Sequence, residues 1–390
     1  MRYSQTSARQ LGTALMNPPR HLPRQRLQSL FDRLADAGYD CIGPRLREGA
    51  VLYEALAEAR DLPAGIRARQ APGEYRLEAR HDERCFAWAN GPQALKPLLF
   101  RAEETLWRCL RDEDGRLRFE EVVPTPARRA VIGVRACDLA ALALHDKHFL
   151  HREADPSYRA RRADLLLVAV DCSDPADTCF CASTGDGPAV AGGSDLALTE
   201  LEDGFLVRAY TEVGRRIADG LPLRDATDEE LRAAETQREH AARAQRRALP
   251  GRNLRDALFA NLDHPRWDAV AERCLACGNC VSVCPTCFCA TERDSASLDG
   301  HASEHRRLWD TCYSAEHSYV HGRLLRPDTR SRYRQWLTHK LGGWHDQYGR
   351  SGCVGCGRCI SWCPVGIDIT EEATAICTPA PEPDKGPDAR

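Results

Sequence analysis

Cysteine is the chemical outlier of this sequence, with 19 in 390 residues, and most of them are grouped. Cys274-x2-Cys277-x2-Cys280-x3-Cys284-Pro285 recurs as Cys353-x2-Cys356-x2-Cys359-x3-Cys363-Pro364. Three thiolates spaced this closely can wrap three corners of an iron–sulfur cubane. The fourth, followed by proline, opens a segment that leads away from the loop. CxxC pairs also bind zinc, which leaves a non-redox zinc scaffold as a distant alternative. Zinc ribbons, however, keep two pairs well apart and do not place four cysteines within eleven residues. A duplicated motif of this form points to two [4Fe–4S] clusters.

In two-cluster ferredoxins the fourth cysteine of each motif serves the other cluster. That pattern assigns Cys274, Cys277, Cys280 and Cys363 to cluster one, and Cys353, Cys356, Cys359 and Cys284 to cluster two. A further group comprises Cys137, Cys172, Cys179 and Cys181. Cys137 and Cys172 each lie just beyond an apolar strand, where parallel sheets build sites, and the following loop adds two more thiols. They are candidates for a third cluster or a tetrathiolate metal, against the reading of buried, unliganded thiols. The tetrapeptide TCFC at residues 178–181 recurs at 286–289, so Cys287, Cys289 and Cys312 are candidate supporting or alternative ligands. Cys41, Cys85, Cys109 and Cys377 read as small buried hydrophobes or incidental thiols.

These thiols need a scaffold. Residues 129–135 (RAVIGVR) and 163–170 (ADLLLVAV) are continuous apolar runs flanking a helical pattern over 138–150, the order of a parallel, buried βαβ unit. Asp138 is placed to cap that helix. Leu27, Leu30, Phe31 and Leu34 repeat at helical spacing, and short strands are expected over 41–46, 51–56 and 75–79. Residues 196–201 and 205–210 suit a hairpin, and Thr227 with Glu230 a capping box. The Gly-rich loop 184–195 lacks a dinucleotide fingerprint and reads as a turn.

The fold class expected is an α/β N-terminal domain with a parallel βαβ unit, followed by a mainly helical two-cluster ferredoxin domain. The boundaries are a poorly ordered N-terminus (1–26), the α/β domain (27–221), a helical connector (222–264), the ferredoxin-type domain (265–377) and a disordered tail (378–390). A net charge of −3 argues against nucleic acid as a partner. No run of about 18 apolar residues predicts a membrane span. The basic N-terminus lacks the apolar core of a signal peptide, so a cytoplasmic, reducing location is expected. Arg323, Arg326, Arg330, Arg332, Arg334 and Lys340 are basic residues that either offset cluster charge, dock an acidic partner or line a solvated helix. No residue set suited to acid–base catalysis stands out, and none is singled out as catalytic.

GVRACDLAAL (residues 133–142), Cys172 with TCFC, CLACGNCVSVCPTCFC, RRLWDTC and CVGCGRCISWCP together resemble the beta subunits of cytoplasmic sulfhydrogenases, which are soluble, NAD(P)-linked [NiFe] hydrogenases. The similarity runs in the same order from about residue 27 to 376. The corresponding iron–sulfur component of anaerobic sulfite reductase is similar in the same regions. The resemblance implies a non-catalytic electron-transfer component of a larger complex. On one side it would meet a flavin/NAD(P)H-binding subunit. On the other it would meet either [NiFe] hydrogenase catalytic and small subunits or a sirohaem sulfite reductase. Helices inserted between the two motifs are expected on the same ground. One departure is HSYVHG at residues 317–322, where relatives tend to carry a Gly-Gly-His segment.

Overall fold

Strands Arg129–Val134 and Leu165–Val170 pair in parallel, and both are almost wholly buried. The computed structural model describes residues 18–151 and 153–378. Alternate side chains of these strands feed two separate apolar layers. Ala130, Ile132, Leu166, Val168 and Val170 join one, and Val131, Val134, Leu165, Leu167 and Ala169 the other. Helices Gln28–Asp36 and Glu212–Asp219 cover the first face through Leu30, Phe31, Leu34 and Ile217. Helices Ala136–Phe149 and Pro156–Arg162 cover the second through Leu139, Leu142, Phe149 and Tyr158. A sheet covered on both faces needs apolar residues at every position, which is why these strands read as unbroken runs.

The sheet has eight strands. Asp40–Arg47 and Leu196–Glu200 extend the parallel core on either side. Antiparallel strands Ala50–Ala55, Gly204–Ala209, Arg20–Pro23 and Arg224–Asp225 complete it. The hairpin over 196–210 forms as expected. Arg20–Pro23 corrects the expectation of a poorly ordered segment 1–26, because it pairs with Gly204–Ala209 and buries Leu22. The rest of the disorder expected at the two chain ends concerns residues 1–17 and 379–390, outside the described residues.

Helix Asp228–Arg243 lies within the expected connector, yet it packs on the sheet, burying Ala234 against Leu201 and Leu206. Its capping box is present: the Glu230 N–H donates to Thr227 Oγ1 at 3.2 Å and the Thr227 N–H to the Glu230 carboxylate at 2.9 Å. Arg224 donates to the same carboxylate at 2.5 Å, and chiefly through that bond the Glu230 pKa falls to about 2. In the unfolded chain a glutamate titrates near about 4.3. The stabilisation is therefore present above that value and lost as pH falls toward 2. Glu230→Gln is expected to lower the Tm at pH 7, with the gap to wild type closing as pH drops from about 5 to 3. A gap independent of pH in thermal unfolding scans would refute this.

The C-terminal part is not simply helical. Helices Arg266–Arg273, Thr329–Thr338 and Ile369–Cys377 enclose a core of Trp267, Tyr333, Trp336, Leu337, Ile360 and Ile369, against which the motif cysteines other than Cys277 and Cys356 pack. Between the two motifs, however, strands Ala290–Ala296 and Ala302–Trp309 form a hairpin. That hairpin pairs with Glu103–Arg111 and, beyond it, Leu117–Glu121 in a four-stranded sheet. The expectation of a mainly helical domain did not include this hairpin. Neither hairpin strand shows an apolar alternation, since ion pairs help to seat it: Arg307 pairs with both Glu104 and Asp155, and Arg161 reaches Glu104 at 2.6 Å.

Candidate metal centres

The two cysteine motifs build the same loop twice. After the first cysteine the backbone turns left-handed at Ala276 (φ 50°) and Gly278 (φ 75°), and at the matching Gly355 (φ 64°) and Gly357 (φ 73°). A four-residue helix follows each loop, Asn279–Ser282 in the first motif and Arg358–Ser361 in the second. The curl aims backbone N–H groups at sulfur. Ala276 donates to Cys274 Sγ and Gly355 to Cys353 Sγ, both at 3.4 Å, and Ile367 to Cys363 Sγ at 3.3 Å. Such bonds suit cluster-ligating thiolates and tune their potential. The second loop is also pressed against the first TCFC segment. A Cβ on Gly355 would lie 2.5 Å from the Cys181 nitrogen, and one on Gly357 2.4 Å from the Thr178 oxygen. Only glycine meets both the left-handed backbone and this approach.

Cys274, Cys277, Cys280 and Cys363 line one apolar cavity, walled by Tyr313, Tyr333 and Trp336. Cys277 is exposed, beside the exposed Leu275, so this group reaches the surface. Cys284, Cys353, Cys356 and Cys359 form a second, deeper group. Burial, with Cys356 and Cys284 adding to it, pushes the Cys353 thiol up to about 12. Lys340, also buried, brings a positive charge to this neighbourhood, as Arg358 does beside Cys356, and donates to Thr286 Oγ1 at 2.8 Å. Cys363 thus lines the cavity of the first motif's Cys274, Cys277 and Cys280, as does Cys359 of its own motif, and Cys284 acts on Cys353, Cys356 and Cys359. Cys280 lies within the electrostatic surroundings of Cys359, so the two groups adjoin.

Cys137, Cys172, Cys179 and Cys181 come to one edge of the large sheet. Burial raises all four thiols. Cys172 acts on both Cys179 and Cys181, Cys181 acts on Cys137, and Cys356 of the second group acts on Cys137, Cys179 and Cys181. Side-chain amides approach two of the sulfurs: Gln245 Nε2 donates to Cys181 at 3.2 Å and Asn90 Nδ2 lies 3.7 Å from Cys137. Arg135, buried over the Trp88 ring, is held by the carbonyls of Phe86, Trp88 and Asp171 and brings a positive charge toward Cys172. Among the described residues no three Cys, His, Asp or Glu side chains converge tightly enough to chelate a single ion, the motif cysteines included. The donor sets are all thiolate, the chemistry that iron–sulfur clusters take.

Asp138 does not cap its helix; Arg135 occupies that position without a side-chain cap. Asp138 is buried, and pairs in fork geometry with Arg358 at 2.8 and 3.1 Å while accepting from Asn90 at 2.9 Å. Arg358, in turn, stands in the chain between Cys356 and Cys359 and donates to the Gly91 carbonyl at 3.0 Å. The cluster loop is therefore tied to the sheet edge by a buried ion pair, which nothing local in the sequence marks. Most of the other basic residues are structural: Arg330 pairs with Asp268, Arg334 bonds the Leu262 carbonyl, and Arg332 the carbonyls of Tyr313, Arg326 and Pro327. Lys96, far from the motifs in sequence, places its ammonium over Trp309 and donates to the Ser282 carbonyl at 2.9 Å, within the first motif.

Residues 273–367 match the family model of the 4Fe-4S dicluster domain. The chain is 35% identical over 241 residues to sulfhydrogenase 2 subunit beta of Pyrococcus furiosus, an alignment covering 61% of this chain and 71% of that protein. No solved structure matches.

Proposed function

The chain belongs to the family of sulfhydrogenase beta subunits, and from that premise we propose that it is a cytoplasmic electron relay with two [4Fe–4S] clusters. The relay would join a subunit that binds flavin and NAD(P)H to the catalytic subunit of a [NiFe] hydrogenase. The observation that supports this reading is that Cys363 lines the cavity of Cys274, Cys277 and Cys280, while Cys284 acts on Cys353, Cys356 and Cys359. Cluster one would be held by Cys274, Cys277, Cys280 and Cys363, and cluster two by Cys353, Cys356, Cys359 and Cys284. Bound there, the clusters supply one-electron redox chemistry. The chain's own contribution is to space the centres, exclude water and set their potentials. Burial and Lys340 act on the inner site, and the exposed Cys277 loop opens the outer one to a partner.

The third group, Cys137, Cys172, Cys179 and Cys181, adjoins cluster two through Cys356, and we assign it a further iron–sulfur centre. No described helix is long and apolar enough to cross a membrane. The experiment is metal and sulfide analysis of the anaerobically purified full chain. At least about eight irons are expected, with visible absorbance that bleaches on reduction. Cys179→Ser combined with Cys181→Ser should remove about four irons and leave the other clusters' spectra unchanged. Stoichiometric zinc without iron would overturn the relay; an unchanged iron count in the double variant would return the third group to plain thiols.

A further inference from the structure

The second TCFC segment and Cys312 face a cavity of about 270 Å³ that neither motif uses. It is a largely apolar recess with thiols on its wall, roomy enough for a polynuclear centre. Cys287, Cys289 and Cys312 line it together with His317. Cys289 and Cys312 act on each other, and His317 acts on Cys289. His317 Nδ1 is engaged by Asp310 Oδ2 at 2.9 Å, and Asp310 also accepts from Ser314 Oγ at 2.7 Å. A carboxylate on one ring nitrogen fixes the ring and leaves Nε2 free to ligate, the arrangement that supports metal-bound histidines. Lys340 and Arg326 line the same cavity and supply positive charge.

We propose that this cavity holds an additional [4Fe–4S] cluster, ligated by Cys287, Cys289, Cys312 and His317. Three soft thiolates and an imidazole match the donors such clusters accept, and the volume suits a polynuclear centre better than a single ion. The site adjoins cluster two, because Lys340, which lines the cavity, donates to Thr286 Oγ1 at 2.8 Å and that hydroxyl lies 3.2 Å from Cys284 Sγ. It would branch the relay toward the face carrying His317 and Arg326. The proposal concerns residues outside both motifs and the third group, so its failure would leave the relay reading intact.

The test is iron, sulfide and EPR analysis of the full chain, comparing wild type with Cys289→Ser combined with Cys312→Ser. The expected result is a loss of about four irons and four sulfides, with the signals of the motif clusters retained. Equal iron in the two proteins would overturn the proposal, as would zinc in the wild type that the double variant loses. The His317 side chain is only partly buried, so His317→Cys provides a variant that avoids disrupting the core. Replacing imidazole with thiolate should lower the potential of one centre in an EPR redox titration and leave the others unmoved. Potentials and spectra unchanged throughout would exclude His317 as a ligand and overturn the assignment.

Discussion

Asp138→Ala is expected to destabilise the chain by about 3–5 kcal/mol, because it strands a buried guanidinium. Arg358 would keep its bond to the Gly91 carbonyl but lose both bonds to carboxylate, in a place closed to water. The damage should reach the clusters as well. Arg358 follows two residues after Cys356 in the second motif, and Asn90, which bonds Asp138, also lies against Cys137. Anaerobic urea unfolding followed by circular dichroism is expected to show a lower midpoint, with earlier loss of visible cluster absorbance. Asp138→Ala combined with Arg358→Met should recover much of the loss, since an apolar side chain needs no counterion. A single variant that unfolds at the wild-type midpoint would show that the pair does not anchor the loop.

Cys284→Ala is expected to damage the cluster held by Cys353, Cys356 and Cys359, although Cys284 lies in the other motif. About four irons should be lost, or, if another group substitutes, the EPR signal of that cluster should change while that of cluster one is retained. Cys277→Ser provides the reference for cluster one, since Cys277 stands only in that group. Some loss of stability should accompany the Cys284 change, because ligands drawn from both motifs staple them together and metal binding is coupled to folding. A Cys284→Ala spectrum that resembles Cys277→Ser and leaves cluster two intact would overturn the crossed assignment.

Much of the framework is legible in the chain. The strands over 129–134 and 165–170 announce themselves because a sheet covered on both faces demands unbroken apolar runs. The capping box at Thr227 is a local device, and a local device is visible in sequence. The cysteine motifs are legible for the same reason, since three ligands of each proposed cluster come from one short loop. What the sequence does not reveal depends on contacts between distant segments. The hairpin over 290–309 finds partners nearly 200 residues earlier and is seated partly by ion pairs, so no period marks it. Asp138 looks like a helix cap because its neighbours suggest one, yet its partner is 220 residues away. The cavity beside Cys287, Cys289 and Cys312 exists only once the second TCFC segment, the Asp310–His317 turn and helix Thr329–Thr338 have packed together. Short-range spacing determined which thiols can bind clusters. Tertiary packing decided how deeply they are buried and which charges surround them, because burial and long-range pairing are properties of the folded chain.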